Sequence, residues 1–517
     1  MSAGIVFSKP HQIPLKPENY LVNPPIPAAF GMALSYYTYP FLNSLSSGFY
    51  VILGLFFLLT AAVIVTRVVS FMPYGMRDFG KMAVFAAALS IGFSLGIAAR
   101  GSANERLDLG LETEKINAVL GVLRHDPRSL QGNFGLGTME LRQSIGPGGL
   151  RASAGGKVTV FFPAESIPGL KEFGRGSEIY ADGSFFKTER GLLFRASSVH
   201  IVKPAPPVEA FRTGLRLFLL EKIQSRHGGS AGEAPVWGSL ASALLLGVRD
   251  DLDTDLTIAF RNSGCAHILA LSGMHLAIIS GVLAFFLRRP LGLRWASLIG
   301  AIFIIFYIFV AGSQASLVRS GIMYLIGTFT LWGLLKRKAL SVLCMAFIIQ
   351  LLFQNEAGLS LGFILSYSAL WGILGLGDSV RNLLRGRLPE VFASALAASL
   401  GAFVLTAPIV ALYFGSLKPI GILAGLLVIP LCSLFMVLAL GALVLSFLPV
   451  PLWSLFDSVL TLVYRLLEFS VNLAARVPGI DISNPFPVII FVVLFWLFIL
   501  LLQKHDRLYR NNIASFN

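Results

Sequence analysis

Acidic residues are scarce in this chain, and over one long stretch they are missing. From Leu256 to Asn355 there is no Asp or Glu, while the same stretch carries Arg261, Arg288, Arg289, Arg294, Arg319 and a basic triplet at Lys336, Arg337 and Lys338. Charge of either sign is rare: 13% of the 517 residues are charged, against 55% hydrophobic. No soluble domain of this size has that balance, so the class is a polytopic membrane protein. There are only three cysteines, Cys265, Cys344 and Cys432, all in apolar stretches. None has metal-like or disulfide-like spacing, and they read as small core residues. A Walker A loop is absent, so any ATP hydrolysis is expected from a partner. Residues 1–47 are polar and proline-rich and lack the charged start and short apolar core of a signal peptide. They read as a loose or interfacial tail.

The formal net charge of +14 has two readings. One is the excess of Lys and Arg that membrane proteins keep in cytoplasmic loops; the other is an anionic partner. Two apolar segments, about 49–66 and 82–99, are long enough to cross a bilayer. Arg67, Arg77 and Lys81 between them favour a cytoplasmic loop, which puts the chain beyond the second segment outside the cytoplasm.

Residues 100–206 have another composition: mixed charge, many glycines and short alternating runs such as KVTVFFP and EIYADGSFFKT. Asp182–Gly183 reads as a hairpin turn. Several short strands in about 100 residues suggest a small antiparallel barrel with an OB-like fold. Phe134, Phe161, Phe162, Phe185, Phe186 and Phe194 are candidate stacking platforms for bases, although adjacent pairs more simply place one ring in the core and one outside. Residues 207–264 come next as amphipathic and connecting helices, with Arg212, Arg216 and Lys222 on one polar side.

From 265 to 502 the chain reads as a membrane domain, succeeded by a basic tail at 503–517. Spans are expected at 266–287, 295–311, 317–335, 339–354, 358–376, 391–414 and 486–502. The basic clusters Arg288–Arg294, Lys336–Lys338 and Arg381–Arg387 all fall on one side if each span crosses once. The region 420–476, with Pro430 in its first half, holds either a broken helix or a re-entrant piece plus a span, and must cross an even number of times. In all, the fold expected is a polytopic α-helical protein of about 9–11 spans with an inserted, small all-β extracytoplasmic domain.

Polar groups at membrane depth are costly and mark a pathway or a site. Three groups stand out. The first, FRNSGCAHILALSGMH at Phe260–His275, puts His267, Ser272, Gly273 and His275 on what otherwise reads as one helix. Two histidines eight apart on an unbroken helix lie about 12 Å apart along its axis, too far to share an ion, so no metal site is expected. Ser272 and His275, three apart, can touch, which raises an intramembrane serine hydrolase, but no nearby acid orients the His. The second group is Ser313, Ser316, Arg319 and Ser320. With no local carboxylate, Arg319 must meet carbonyls, water, a distant acid such as Glu356, Asp457 or Glu468, or an anion, for which phosphate is the natural match. The third comprises LSLGFILSYSALWGI, with Phe363 and Ser366, and TAPIVALYFGSLKPIGILAGLLVIPL, with Pro408, Lys418 and Pro430; helix breaks are expected at Gly273 in the first group and at Pro408 and Pro430 in the third.

In this order the motifs resemble the ComEC family of competence proteins, over about residues 244–431 and most specifically in HILALSGMH. The resemblance implies an inner-membrane channel through which single-stranded DNA crosses during transformation, without a cofactor. It implies pore-lining roles for His267, Ser272, His275, Ser316, Arg319, Ser320, Ser366 and Lys418. It also implies partners: a DNA receptor, a cytoplasmic helicase or other ATPase, and the lipid bilayer. Gly425 stands where the family often has Asn. The chain ends at Asn517 and its seven histidines include no HxHxDH cluster, so a metallo-β-lactamase-like nuclease is expected as a separate protein. A transporter of a small or lipid-linked anion fits the acid-free stretch equally well, but gives no reason for a 100-residue β domain.

Overall fold

The computed structural model of the protein describes residues 24–42, 77–103, 107–130, 134–163, 174–188, 191–224, 235–333, 338–447 and 453–482. The spans expected at 49–66 and 486–502 lie outside the described residues. The chain divides into two compact units: Met1–Ala103 with Arg337–Gly358, and Asn104–Lys336 with Leu359–Asn517.

The first unit begins with α1 (Pro25–Leu42) and α2 (Arg77–Ala103). Helix α1 falls within the stretch read as a loose or interfacial tail and gives its second half a regular structure. Pro25 and Pro27 occupy its first turn, where a missing N–H costs nothing, and the remainder is an uncharged sequence rich in Ala, Phe and Tyr. Tyr36 is fully buried. Its hydroxyl donates to the carbonyl of Asn355, just beyond a later helix over Ala339–Phe353 that completes this unit, and Arg100 lies over its ring, 5.4 Å from the centroid.

The second unit opens with β1 (Ala118–Leu123), β2 (Arg128–Leu130), β3 (Phe134–Ile145), β4 (Arg151–Ser153), β5 (Lys157–Pro163), β6 (Glu178–Thr188) and β7 (Gly191–Lys203). All seven belong to one sheet, and five of them close on themselves in the order β1-β6-β7-β5-β3-β1. Every neighbour in the ring is antiparallel except β5 and β7. Closure leaves no free edge among these five. Alternation explains the inside: along β5 half-buried and buried positions alternate, and Val119, Met139, Val160, Phe162, Ile179 and Phe194 fill the core. Asp182–Gly183 is not the hairpin turn. It sits within β6 at a shift in register against β7, where a Cβ on Gly183 would lie 2.0 Å from the Arg195 carbonyl. The chain reverses after Thr188, which pairs with Gly191.

The rest of the chain comprises α3 (Pro207–Gln224), α4 (Gly238–Leu246), α5 (Thr254–Asn262), the single turn α6 (Ala266–Leu269), α7 (Gly273–Ala311), α8 (Ala315–Leu331), α9 (Ala339–Phe353, the helix of the first unit), α10 (Leu361–Leu384), α11 (Glu390–Phe414), β8 (Ser416–Leu417), α12 (Gly421–Leu445), α13 (Trp453–Ala475) and β9 (Ile480–Asp481). Among the described residues five helices are long and apolar enough to cross a membrane: α7, α10, α11, α12 and, over Phe456–Ala475, α13. The protein is therefore a multi-pass helical membrane protein with an inserted β domain. At 39 residues α7 is about 58 Å long, twice a bilayer core of about 30 Å. It is two helices meeting at Pro290 and Gly292, whose φ of 75° and ψ of 169° are not helical.

The region 420–476, where a broken helix or a re-entrant piece plus a span is expected, holds two helices, α12 and α13, each long and apolar enough to cross a membrane. Breaks are expected at Pro408 and Pro430, but α11 and α12 run continuously through them. A proline forfeits one helical hydrogen bond, and the apolar sequence on both sides carries the helix on.

Candidate functional site

The break in the HILALSGMH segment falls before Gly273. Ala270 and Ser272 are extended, so His267 sits on the isolated turn α6 and His275 on the first turn of α7. Ser272 is the N-cap of α7. Its N–H donates to His275 Nδ1 at 3.1 Å, and its hydroxyl lies 2.8 Å from the same nitrogen. This is a capping box with His in the place usually held by Glu or Gln. Because Nδ1 accepts a bond from a backbone N–H, the ring proton belongs on Nε2. That atom is buried and has no hydrogen-bond partner among the described residues. A Ser–His pair poised for acyl transfer needs an orienting group there, and none of the described residues supplies one.

Arg319, one turn into α8, is 7% exposed. One end of its guanidinium donates to the carbonyl of Ser366 on α10; Nη2 reaches Ser320 Oγ at 3.4 Å; the group lies 5.6 Å from the Tyr367 ring centroid; and among the described residues Nε has no hydrogen-bond partner. No ion pair forms with it among the described residues. Asp457 instead accepts from Trp237, and Glu468 pairs with Arg465. Ser316 donates to the carbonyl of Leu271 at 2.5 Å, and Ser320 to that of Ser316 at 2.9 Å. A Cβ on Gly273 would stand 2.5 Å from Ser320 Oγ and 3.3 Å from Arg319 Nη2. The missing side chain is what lets α8 approach the start of α7.

These contacts order the bundle. Gly273 and, 35 residues on, Ile308 both lie against the first turns of α8, so the halves of α7 run antiparallel. Arg319 and Ser366 each lie near the start of their helix, so α8 and α10 begin at that same end. The Arg288–Arg294 bend and the Arg381–Arg387 turn then share the opposite end, as the loop charges predict. The return along α11 brings Lys418 back to the polar end, where its carbonyl would be 2.9 Å from a Cβ on Gly264. Gly264 in turn bonds His267 through its backbone, and the His267 side chain is exposed. Ser272, His275, Ser316, Arg319, Ser320 and Ser366 are thus assembled in one place, with His267 and Lys418 beside the Gly264 turn.

The β domain is tied to this end. Arg212, with a side chain 5% exposed, bonds both carboxylate oxygens of Asp126 at 2.6 Å and Glu209 at 2.6 Å. Arg216 spans Asp126 and the carbonyl of Leu246, both at 3.3 Å. Leu246 ends α4, and the next residue, Gly247, packs on Leu271 and Gln314. On the outer face of the barrel, Phe161 and Phe186 approach to 5.9 Å between centroids and Arg195 lies 5.3 Å from the Phe186 ring. Phe162 and Phe194 are in the core, and Phe185 packs on Phe194. The Phe134 side chain lies outside the described residues.

Sequence reasoning misses Tyr367 and the carbonyls of Leu271 and Ser366. Backbone acceptors leave no trace in composition. Tyr367 is in principle visible, four residues after Phe363 on the same helix face. Among the described residues no three His, Cys, Asp or Glu side chains come together as a metal ion requires.

Residues 244–507 match the competence protein family. The chain belongs to that family. ComE operon protein 3 of Bacillus subtilis (strain 168) is 27% identical over 283 residues, 52% of this chain and 34% of that protein. An uncharacterized protein of Aquifex aeolicus (strain VF5) is 23% identical over 309 residues, 60% of this chain and 69% of that protein. This competence-family chain therefore spans about a third of its Bacillus relative (34%). No solved structure matches it. The matched region starts in α4 and so takes in the whole polar cluster.

Proposed function

We propose that this protein passes single-stranded DNA across the cytoplasmic membrane during competence, acting as a channel and not as an enzyme. The observation that carries the reading is that the polar cluster, whose own residues include no carboxylate, lies at the end of the bundle where the β domain is attached. A polyanion needs a path without carboxylates and with cations or hydrogen-bond donors along it, and Arg319, His267, Ser272, Ser316, Ser320 and Lys418 supply these. A duplex is too wide for a single bundle of this size, so the cargo is one strand. The charge rule puts the Arg288–Arg294 end in the cytoplasm, hence the barrel outside it. The five-strand ring, with its one parallel contact between β5 and β7, supports an OB-like barrel. Its surface trio Phe161, Phe186 and Arg195 suits stacking of bases and pairing with phosphate. A DNA receptor, a nuclease acting on the other strand and a cytoplasmic ATPase complete the process.

The test is uptake of labelled DNA in a deletion strain and in the same strain carrying the native gene or Arg319→Lys. Uptake is expected to vanish on deletion, return with the native gene and return in part with Lys. Full uptake in the deletion strain rejects the function. Loss of small-anion flux with intact DNA uptake transfers the role to the anion-transporter reading.

A further inference from the structure

The start of α7 is electropositive beyond what packing requires. The first-turn N–H groups of Gly273 and Met274 have no intrahelical acceptor, and among the described residues none is bonded to them. The helix dipole adds partial positive charge at that point. Arg319 Nη2 would stand 3.3 Å from a Cβ on Gly273, its buried Nε has no hydrogen-bond partner among the described residues, and the residue is 7% exposed. One turn in, His275 is completely buried, and among the described residues its Nε2 has no hydrogen-bond partner. Against these donors there is no carboxylate from Leu256 to Asn355. A guanidinium that meets one carbonyl, a distant hydroxyl and the face of a ring has hydrogen-bonding capacity and charge left over. Ser272, Gly273 and Met274 are only half-buried, so a ligand can reach them.

We infer that the amino terminus of α7 and the Arg319 guanidinium together form a binding site for a single phosphate-ester anion. Resting on the transport reading above, it is where one backbone phosphate of the strand pauses at the mouth of the bundle. The N–H groups of Gly273 and Met274 hold one oxygen, as helix termini hold phosphates elsewhere, and Nη2 and Nε of Arg319 hold a second. No bond is made or broken. Gly273 is the positioning residue, since only a residue without a Cβ lets the guanidinium stand beside the helix end.

The test uses the full chain in detergent, with inorganic phosphate and a fluorescent oligothymidylate as probes. Phosphate should raise the melting temperature of the native protein. The oligonucleotide should bind at least about tenfold more tightly than its uncharged methylphosphonate analogue. Gly273→Ala and Arg319→Leu should each abolish the phosphate shift and lose about tenfold in oligonucleotide affinity, with partial recovery in Arg319→Lys. Gly281→Ala, where a Cβ meets nothing within 4 Å, should behave as native. An absent phosphate shift, or one equal in the native chain and Gly273→Ala, overturns the site. Oligonucleotide binding unchanged in both variants also overturns it, while leaving DNA transport standing. A variant-sensitive phosphate shift that phosphatidylglycerol vesicles compete for and the oligonucleotide does not keeps the site, makes its ligand a lipid headgroup, and counts against the strand.

Discussion

Replacing Asp126 by Asn tests how the β domain is held. In the native chain its carboxylate takes two bonds from Arg212, one from the backbone N–H of Arg175 at 3.0 Å and one from Arg216. Burial alone would raise the Asp126 carboxyl, but the Arg212 bond, the Arg175 N–H and the charges of Arg212 and Arg216 together hold it below the usual carboxylate range. An amide keeps the shape and removes the charge, leaving a nearly buried guanidinium with Glu209 alone. Stranding a buried charge costs about 3–5 kcal/mol, and the remaining Glu209 contact puts the expected loss at about 3 kcal/mol. Hydrogen exchange is the suitable assay because it reads local opening: amides of α3 and of 124–130 should exchange about a hundredfold faster, each 1.4 kcal/mol being tenfold. Protection of the barrel core at Val119 and Val160 should change little. The pH dependence has a definite sign. A depressed folded-state value means the contribution is complete above the unfolded value of about 3.9 and is lost as pH falls through the folded value. Protection of α3 should thus hold from pH 7 to about 5 and fail only below about pH 4. Replacing the pair together, Asp126→Leu with Arg212→Met, should cost less than Asp126→Asn. Exchange in Asp126→Asn within threefold of native would refute the reasoning.

Two further outcomes rest on close contacts. A Cβ at Gly372 in α10 would lie 2.0 Å from the Gly401 carbonyl of α11, so Gly372→Val should lower the detergent melting temperature by an amount matching about 1–3 kcal/mol, whereas Gly377→Val, with open space around it, should not; equal melting temperatures would show that the two helices do not meet there. On the barrel, Phe161→Ala with Phe186→Ala should weaken oligonucleotide binding by about 1–3 kcal/mol per base lost without altering its salt dependence, while Arg195→Ala should reduce the salt slope by about one phosphate contact. The reverse pattern would place the strand on another face.

The membrane class, the separate β domain, the basic turns and the chemistry of the polar cluster are all legible in the sequence. Each rests on composition or on a local period: apolar runs of bilayer length, two-residue alternation in KVTVFFP, and the hundred-residue absence of carboxylates around Arg319. Helix α1 is hidden from such a reading because its prolines and tyrosines lower its polarity contrast without preventing a helix. Pro408 and Pro430 mislead it because a proline breaks a helix only when its neighbours have another place to go. What only the tertiary structure decided is which groups meet: Ser272 with His275 as a cap, Arg319 with the Ser366 carbonyl and the Tyr367 ring, Lys418 beside Gly264, and Ala339–Phe353 with the helices at 25–42 and 77–103. Those pairings span from a few residues to hundreds and run largely through backbone carbonyls and N–H groups, which every residue but proline carries alike. Local sequence therefore holds no record of them, and packing alone selects the partner.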